Sequence, residues 1–194
     1  MREVNHRVAN SLALVASLAR LQSSGLENET ARRAIEGMLG RITAIAGVHR
    51  RLYTSADVRF VQMDAYLLNL AEELQSAMAA EERRHDIRVE AEPIRIPTDK
   101  AVSIGVIVTE LVMNAYKYAY PGGGEGDIRV RFGRAGDKIL LVVEDDGVGV
   151  KRSAGPQGTG LGGRIVQAMA ANLNAATEID PKHTGTRVTV CFTL

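Results

Sequence analysis

Glu110, Asn114 and Lys117 stand four and then three residues apart in Glu110-Leu111-Val112-Met113-Asn114-Ala115-Tyr116-Lys117-Tyr118. On a helix they share one face. A carboxylate can polarise a proton, an amide oxygen can ligate Mg2+, and an ammonium can neutralise phosphate charge. The same three side chains would also serve as solvated polar groups, so the spacing alone leaves both readings open. A second cluster is Val143-Glu144-Asp145-Asp146-Gly147-Val148-Gly149, where the apolar run Ile139 to Val143 leads into carboxylates and two glycines. An ionised Asp145 can accept a hydrogen bond from an exocyclic amine, and Gly147 and Gly149 permit close approach of the backbone to a ligand. A solvent-facing Asp-Gly turn is the bland alternative.

The third cluster is Gly158-Thr159-Gly160-Leu161-Gly162-Gly163-Arg164, followed by a helix from about Arg164 to Leu173. Amides of a glycine loop at a helix N-terminus form an anion site. Gly158, Gly160 and Gly163 also satisfy the dinucleotide fingerprint. Against that alternative, no strand leads directly into the loop, and the roughly 30 residues that remain are too few for a doubly wound fold. No Lys-Ser or Lys-Thr follows the glycines, so the Walker pattern is absent. The fourth cluster is His6, in Glu3-Val4-Asn5-His6-Arg7-Val8-Ala9-Asn10. At about 100° per residue, Val4, Val8, Leu12, Val15 and Leu18 gather in one sector and His6 falls outside it, beside Arg2, Ala13, Ser17 and Arg20. An imidazole placed there faces solvent, either as a plain surface histidine or as a group another domain can reach.

The elements that must position these residues differ along the chain. Helical stripes run from Val4 to about Gln22, and from near Asn28 to Tyr53 with Ile35, Met38, Leu39, Ile42, Ile45, Val48 and Leu52 on one side. Such an antiparallel hairpin cannot bury both stripes alone, and it is expected to pair with a second copy or pack on the rest of the chain. After Ser55-Ala56-Asp57 the pattern changes to a helix over Met63 to about Ala80, a charged run Glu81 to Asp86, and alternation in Ile87 to Ala91. Pro93 and Pro97 bound a short extended piece, and Thr98-Asp99-Lys100 can cap a helix reaching Tyr118, with Leu111, Ala115 and Tyr118 packing on a sheet. Strands follow over Asp127–Arg134, Lys138–Glu144, Ala176–Asp180 and Thr186–Leu194. The fold class is α+β, with domains at 1–57 and 58–194 and an antiparallel or mixed sheet covered by helices on one face.

Composition narrows the partners. The 24 Lys and Arg against 23 Asp and Glu leave a net charge of +1, so no global field attracts nucleic acid or an anionic membrane. Aromatic residues are 4% of the chain with no Trp, which disfavours base-stacking platforms. The single cysteine, Cys191, excludes an internal disulfide, and no Cys/His metal spacing is present. The apolar stretches are too short to span a bilayer and the start lacks a secretory core, so a cytoplasmic location is expected. His85, in the charged run, and His183, in a turn, are expected to be solvated. His49 is read as packing or polar surface, and Cys191 as a half-buried strand residue.

Taken in order, the four clusters resemble the transmitter of a sensor histidine kinase, of the HisKA_2 type related to the HWE kinases, over nearly the whole chain. His6 to Gln22 resembles the phosphoacceptor box, and Arg41 to Tyr53 with the segment to Leu74 its second helix and connector. Glu110–Tyr118 is similar to the N box, Asp145–Gly149 and Gly158–Gly162 to the two glycine boxes, and Gly185-Thr186 to the closing strand. The resemblance implies a dimerising, phosphoaccepting helical hairpin followed by a Bergerat-type α/β sandwich that binds ATP. It implies that His6 accepts the γ-phosphate, that Glu110 assists as base or polariser, that Asn114 ligates Mg2+ and that Lys117 holds phosphate. Asp145 would read the adenine amine. Gly147, Gly149, Gly158, Gly160, Leu161 and Gly162 would line the nucleotide, with Thr186 beneath the base. Val150–Gln157 would be a flexible lid, and Asn10 would orient water for dephosphorylating a partner.

The implied activity is autophosphorylation followed by transfer to an aspartate of a response regulator, from a homodimer joined through the hairpin. Two other readings are a non-enzymatic phosphotransfer or scaffold protein with a degenerate ATP domain, and an ATPase or serine kinase sharing the nucleotide fold. Departures from the pattern are Ala9 where Lys is usual and Arg50 after His49 where Glu is commoner; losing a cation beside His6 would weaken attraction for the incoming phosphate. Because His6 lies a few residues from Met1, a sensory domain is expected to be missing from this chain.

Overall fold

The computed structural model describes residues 35, 59–78, 85–121, 124–149 and 161–194. Apart from residues 35 and 59, these belong to one compact unit, Phe60–Leu194. The expected hairpin, with His6, Asn10 and His49, lies outside the described residues, as do the proposed lid, Gly158 and Gly160.

The chain runs through β1 (Phe60–Gln62), α1 (Met63–Met78), β2 (Ile87–Ala91), β3 (Arg95–Pro97), α2 (Thr98–Tyr118), β4 (Ile128–Ala135), β5 (Lys138–Asp145), α3 (Leu161–Asn172), β6 (Ala176–Ile179) and β7 (Arg187–Phe192). The main sheet has the order β2-β4-β5-β7-β6, parallel between β2 and β4 and antiparallel elsewhere; β1 and β3 form a separate antiparallel pair. The expected α+β class is therefore realised with a mixed sheet. Strand β1, only three residues long, has no sequence signal of its own and exists by pairing with β3. Helix α2 begins at Thr98 with Pro97 in the capping position and no side-chain cap, so Thr98 is inside the first turn and not its cap. Proline suits that position because its fixed φ and missing N–H cost nothing at a helix start. Among the described residues no helix is long and apolar enough to cross a membrane.

Alternation decides which face of the sheet is covered. Ile128, Val130 and Phe132 of β4, Ile139, Leu141 and Val143 of β5, and Val188, Val190 and Phe192 of β7 are buried. Those of β4 and β5 meet α2, whose middle is enclosed on nearly every side: Ile104, Ile107, Val108 and Val112 are at most 1% exposed. Each such side chain contributes about 1.5–3 kcal/mol on burial. Helix α3 packs beside α2, with its Val166 and Ala170 buried and Leu173 just after it 1% exposed. The last turn of α2 differs from expectation: Val112, Ala115, Tyr116 and Ala119 make the buried stripe, while Tyr118 points outward at 40% exposed.

The opposite face of the sheet carries a ladder of charge. Arg129, Glu144 and Arg187 lie directly across from one another on β4, β5 and β7. Glu144, 3% exposed, accepts from Arg129 Nε at 2.8 Å, Arg131 at 2.8 Å and Arg187 Nε at 2.5 Å. Burial is the largest single influence on the Glu144 carboxyl and pushes it up, but the three guanidiniums together hold it below its ordinary value. A depressed carboxylate stabilises the fold above the unfolded-state value and loses that contribution as pH falls through the folded one. Glu144→Gln should therefore unfold more readily at neutral pH, by about 1–3 kcal/mol. Its gap to the natural protein should close progressively as urea unfolding is repeated below about pH 4. A gap independent of pH would show that the charge of Glu144 is not what stabilises.

Candidate nucleotide site

Helix α2 carries the first group of candidate residues out of the core toward solvent. Glu110 is buried at 1% exposed, Asn114 one turn later is half-buried, and Lys117 is exposed. The expected common face is present, graded from interior carboxylate to exposed ammonium. A carboxylate in the middle of an apolar helix is costly unless its surroundings supply partners, so Glu110 is no incidental surface acid. Lys117 also sits in the last turn of α2, where a cation complements the helix dipole.

Just past that last turn, the chain end of β5 docks on the helix. Val148 N–H donates to the carbonyl of Ala119 at 2.9 Å. A Cβ at Gly147 would overlap that carbonyl, so only glycine lets the loop approach so closely. Asp145, 3% exposed, ends β5 on the helix side of the sheet. Its Oδ1 accepts from the amides of Gly147 at 3.0 Å and Thr186 at 3.2 Å, while its own N–H donates to the Thr186 carbonyl at 2.9 Å. Both hydrogen bonds to the carboxylate among the described residues go to Oδ1, which leaves Oδ2 as the oxygen able to accept from a ligand. Gly185 presses against Asp145 so tightly that a Cβ there would collide with the Asp145 carbonyl, and Gly149, at φ +70°, lies over the Gly185 carbonyl. Three segments far apart in sequence thus converge on one carboxylate: the end of α2, the Gly147–Gly149 turn, and Gly185-Thr186.

Helix α3 starts at Leu161, three residues earlier than the periodicity predicts, so Leu161, Gly162 and Gly163 form its first turn. No acidic residue stands in that turn. Its amides are therefore not engaged by a carboxylate of the same turn and remain suited to an anion.

Two histidines correct the sequence expectation, and neither is solvated. His183 is 11% exposed at its side chain, and its Nε2 lies 2.8 Å from the Asp145 carbonyl. A carbonyl only accepts, so Nε2 carries the proton. His85 is 4% exposed. It stacks on Tyr120 at 4.7 Å between ring centroids, meets Tyr116 edge-on at 5.4 Å, and places Nδ1 3.2 Å from the Gly126 carbonyl. Tyr120, unnoticed in the sequence, accepts through its hydroxyl from Asp146 N–H at 3.1 Å and donates to the Asp127 carbonyl at 3.0 Å. Only its place two residues after the exposed Tyr118, before Pro121, could have marked it. Asp146 itself is gripped by both terminal nitrogens of Arg129 at 2.6 and 2.7 Å, which holds its carboxyl below the ordinary range.

Residues 3–78 match the family model for a histidine kinase, and residues 99–194 match that for the histidine kinase-, DNA gyrase B- and HSP90-like ATPases. The sensor histidine kinase PdtaS of Mycobacterium tuberculosis is 33% identical over 83% of this chain and 31% of its own length. Blue-light-activated histidine kinase 2 of Erythrobacter litoralis is 30% identical over 98% of this chain and 56% of its own. The chain thus spans between about a third and just over half of these relatives. Among solved structures, the histidine kinase domain of the Erythrobacter litoralis EL346 blue-light activated histidine kinase superposes with a TM-score of 0.63 at 27% identity, covering 99% of this chain and 89% of that one. With family-model matches over residues 3–78 and 99–194 and 30% identity to a histidine kinase over 98% of its own length, the chain belongs to the sensor histidine kinase family.

Proposed function

We propose that this chain is the catalytic core of a two-component sensor kinase, which phosphorylates its own His6 from ATP and passes the phosphoryl group to an aspartate of a response-regulator receiver domain. The observation that carries this reading is the buried Asp145, tied through Oδ1 to two backbone amides at the point where α2, the glycine turn and Gly185-Thr186 meet. That geometry suits a carboxylate that accepts from the adenine amine through Oδ2, with Thr186 beneath the base and Gly147 and Gly149 against the nucleotide.

The phosphates would extend toward the α3 N-terminus, lined by Gly158, Gly160, Leu161 and Gly162, with Lys117 supplying positive charge. Asn114 offers an amide oxygen, a donor that fits a hard cation such as Mg2+. When bound there, that ion neutralises charge building on the transferring phosphate. The imidazole nitrogen of His6 forms the new bond to the γ-phosphorus as the bond to the ADP oxygen breaks, and Glu110 takes up or polarises the ring proton. Transfer needs placement and charge neutralisation more than covalent chemistry from the nucleotide-binding unit. The hairpin over 1–57 would join two copies into a homodimer, and the whole would act in the cytoplasm.

Incubation of the chain with labelled ATP and Mg2+ should give acid-labile label that His6→Ala abolishes. Equal label on His6→Ala, or none on the natural protein, would overturn the assignment. Glu110→Gln should slow labelling by about 100-fold or more while ATP affinity changes by less than about threefold, the pattern of a group that acts in the transition state.

A further inference from the structure

The Asp145 carbonyl and the Asp146 N–H belong to one peptide group, and two side chains from opposite sides hold it. His183, in the turn between β6 and β7, donates from Nε2 to the oxygen at 2.8 Å. Tyr120, just past α2, accepts from the N–H at 3.1 Å. A peptide bound at both poles cannot rotate about its flanking bonds, and rotation there would swing the Asp145 side chain and the glycine turn together. Both anchors are themselves fixed. The Tyr120 hydroxyl also donates to the Asp127 carbonyl at 3.0 Å, its ring stacks on His85, and a Cβ at Gly126 would overlap that ring. Burial is the main reason the Tyr120 phenol stays above its ordinary value and keeps its proton to donate. His183 is shielded from water, and its Nε2 also lies 3.8 Å from Asp146 Oδ1, so one ring nitrogen faces both residues of the dipeptide.

We infer that Tyr120 and His183 are positioning residues for base selection: by clamping the Asp145–Asp146 peptide they hold the Asp145 carboxylate at the angle that accepts the adenine amine, and so set the preference for adenine over a purine without that amine. The inference rests on the reading of Asp145 as acceptor of the amine. Neither side chain need touch the nucleotide. Their contribution is orientational, and a hydrogen bond to a charged acceptor weakens steeply as its angle departs from linear.

The readout is a ratio. With the full chain, dissociation constants for ATP and for inosine triphosphate, which carries a carbonyl in place of the amine, are measured by displacement of a fluorescent nucleotide. The natural protein should favour ATP by about tenfold or more, the scale of a charged hydrogen bond made or lost. Asp145→Asn should remove that preference. Tyr120→Phe, which keeps the ring stacked on His85, and His183→Ala should each narrow it by about three- to fivefold, the scale of one neutral hydrogen bond. A partly unfolded variant weakens both nucleotides by the same factor, so loss of stability leaves the ratio untouched. A ratio unchanged in both variants, with Asp145→Asn effective, would overturn the inference while leaving the role of Asp145 standing. Absence of any preference in the natural protein would overturn both.

Discussion

Three consecutive acids, Glu144, Asp145 and Asp146, must be kept together at the end of one strand, and the C-terminal unit is organised around that constraint. Like charges on adjacent residues repel, and two of these three are 3% exposed. Strand alternation separates them first: Glu144 turns to the open face of the sheet and Asp145 to the helix side. Arg129 then spans the gap, donating through Nε to Glu144 and through both terminal nitrogens to Asp146. One guanidinium thus grips the residues before and after Asp145 and leaves Asp145 itself unpaired by any cation among the described residues. Its compensation comes instead from backbone amides, which add no further side chain beside Oδ2.

That separation explains why the site tolerates so little at its glycines. Ala119, Gly147 and Gly185 bring three stretches of backbone into contact around one carboxylate. Backbone hydrogen bonding at such short range needs the absence of Cβ atoms and not flexibility as such. Of the described glycines at this site, Gly149 alone, at φ +70°, also needs glycine for its conformation.

Much of this was legible in the sequence, and the rest was hidden for a physical reason. The strand β4 announces itself because one face is buried under helices and the other is not, so Ile128 to Phe132 alternate, while Ile139 to Val143 of the central β5 reads as a continuous apolar run. The i, i+4, i+7 spacing of Glu110, Asn114 and Lys117 survives into the structure because α2 is regular through it. The histidines were illegible because their burial is a tertiary event. His85 is bonded to a carbonyl 41 positions away and His183 to one 38 positions away, and nothing in their charged or turn-like neighbours signals either contact. Tyr118 misled in the same manner, and Tyr120 went unread. Both suit an apolar face by composition, but the helix ends between them, and the change of direction buries the second and exposes the first.

The division of labour between sheet and helices follows from what each can hold still. A base is read by direction, since a carboxylate and an amine must align, and β5 lies second from neither edge but between β4 and β7 with partners on both sides. Its end is held from both sides, a constrained place to mount a directional acceptor. Phosphate is read by charge, which falls off slowly with distance and tolerates a shift of position. The groups suited to it, Lys117 on an exposed turn and the amides opening α3, sit accordingly at helix ends, where rearrangement costs less. A kinase core must keep hold of the base while the terminal phosphate leaves for another residue. On the proposed function, a directional contact on the sheet and electrostatic ones at the helix ends would let the second grip change without loosening the first.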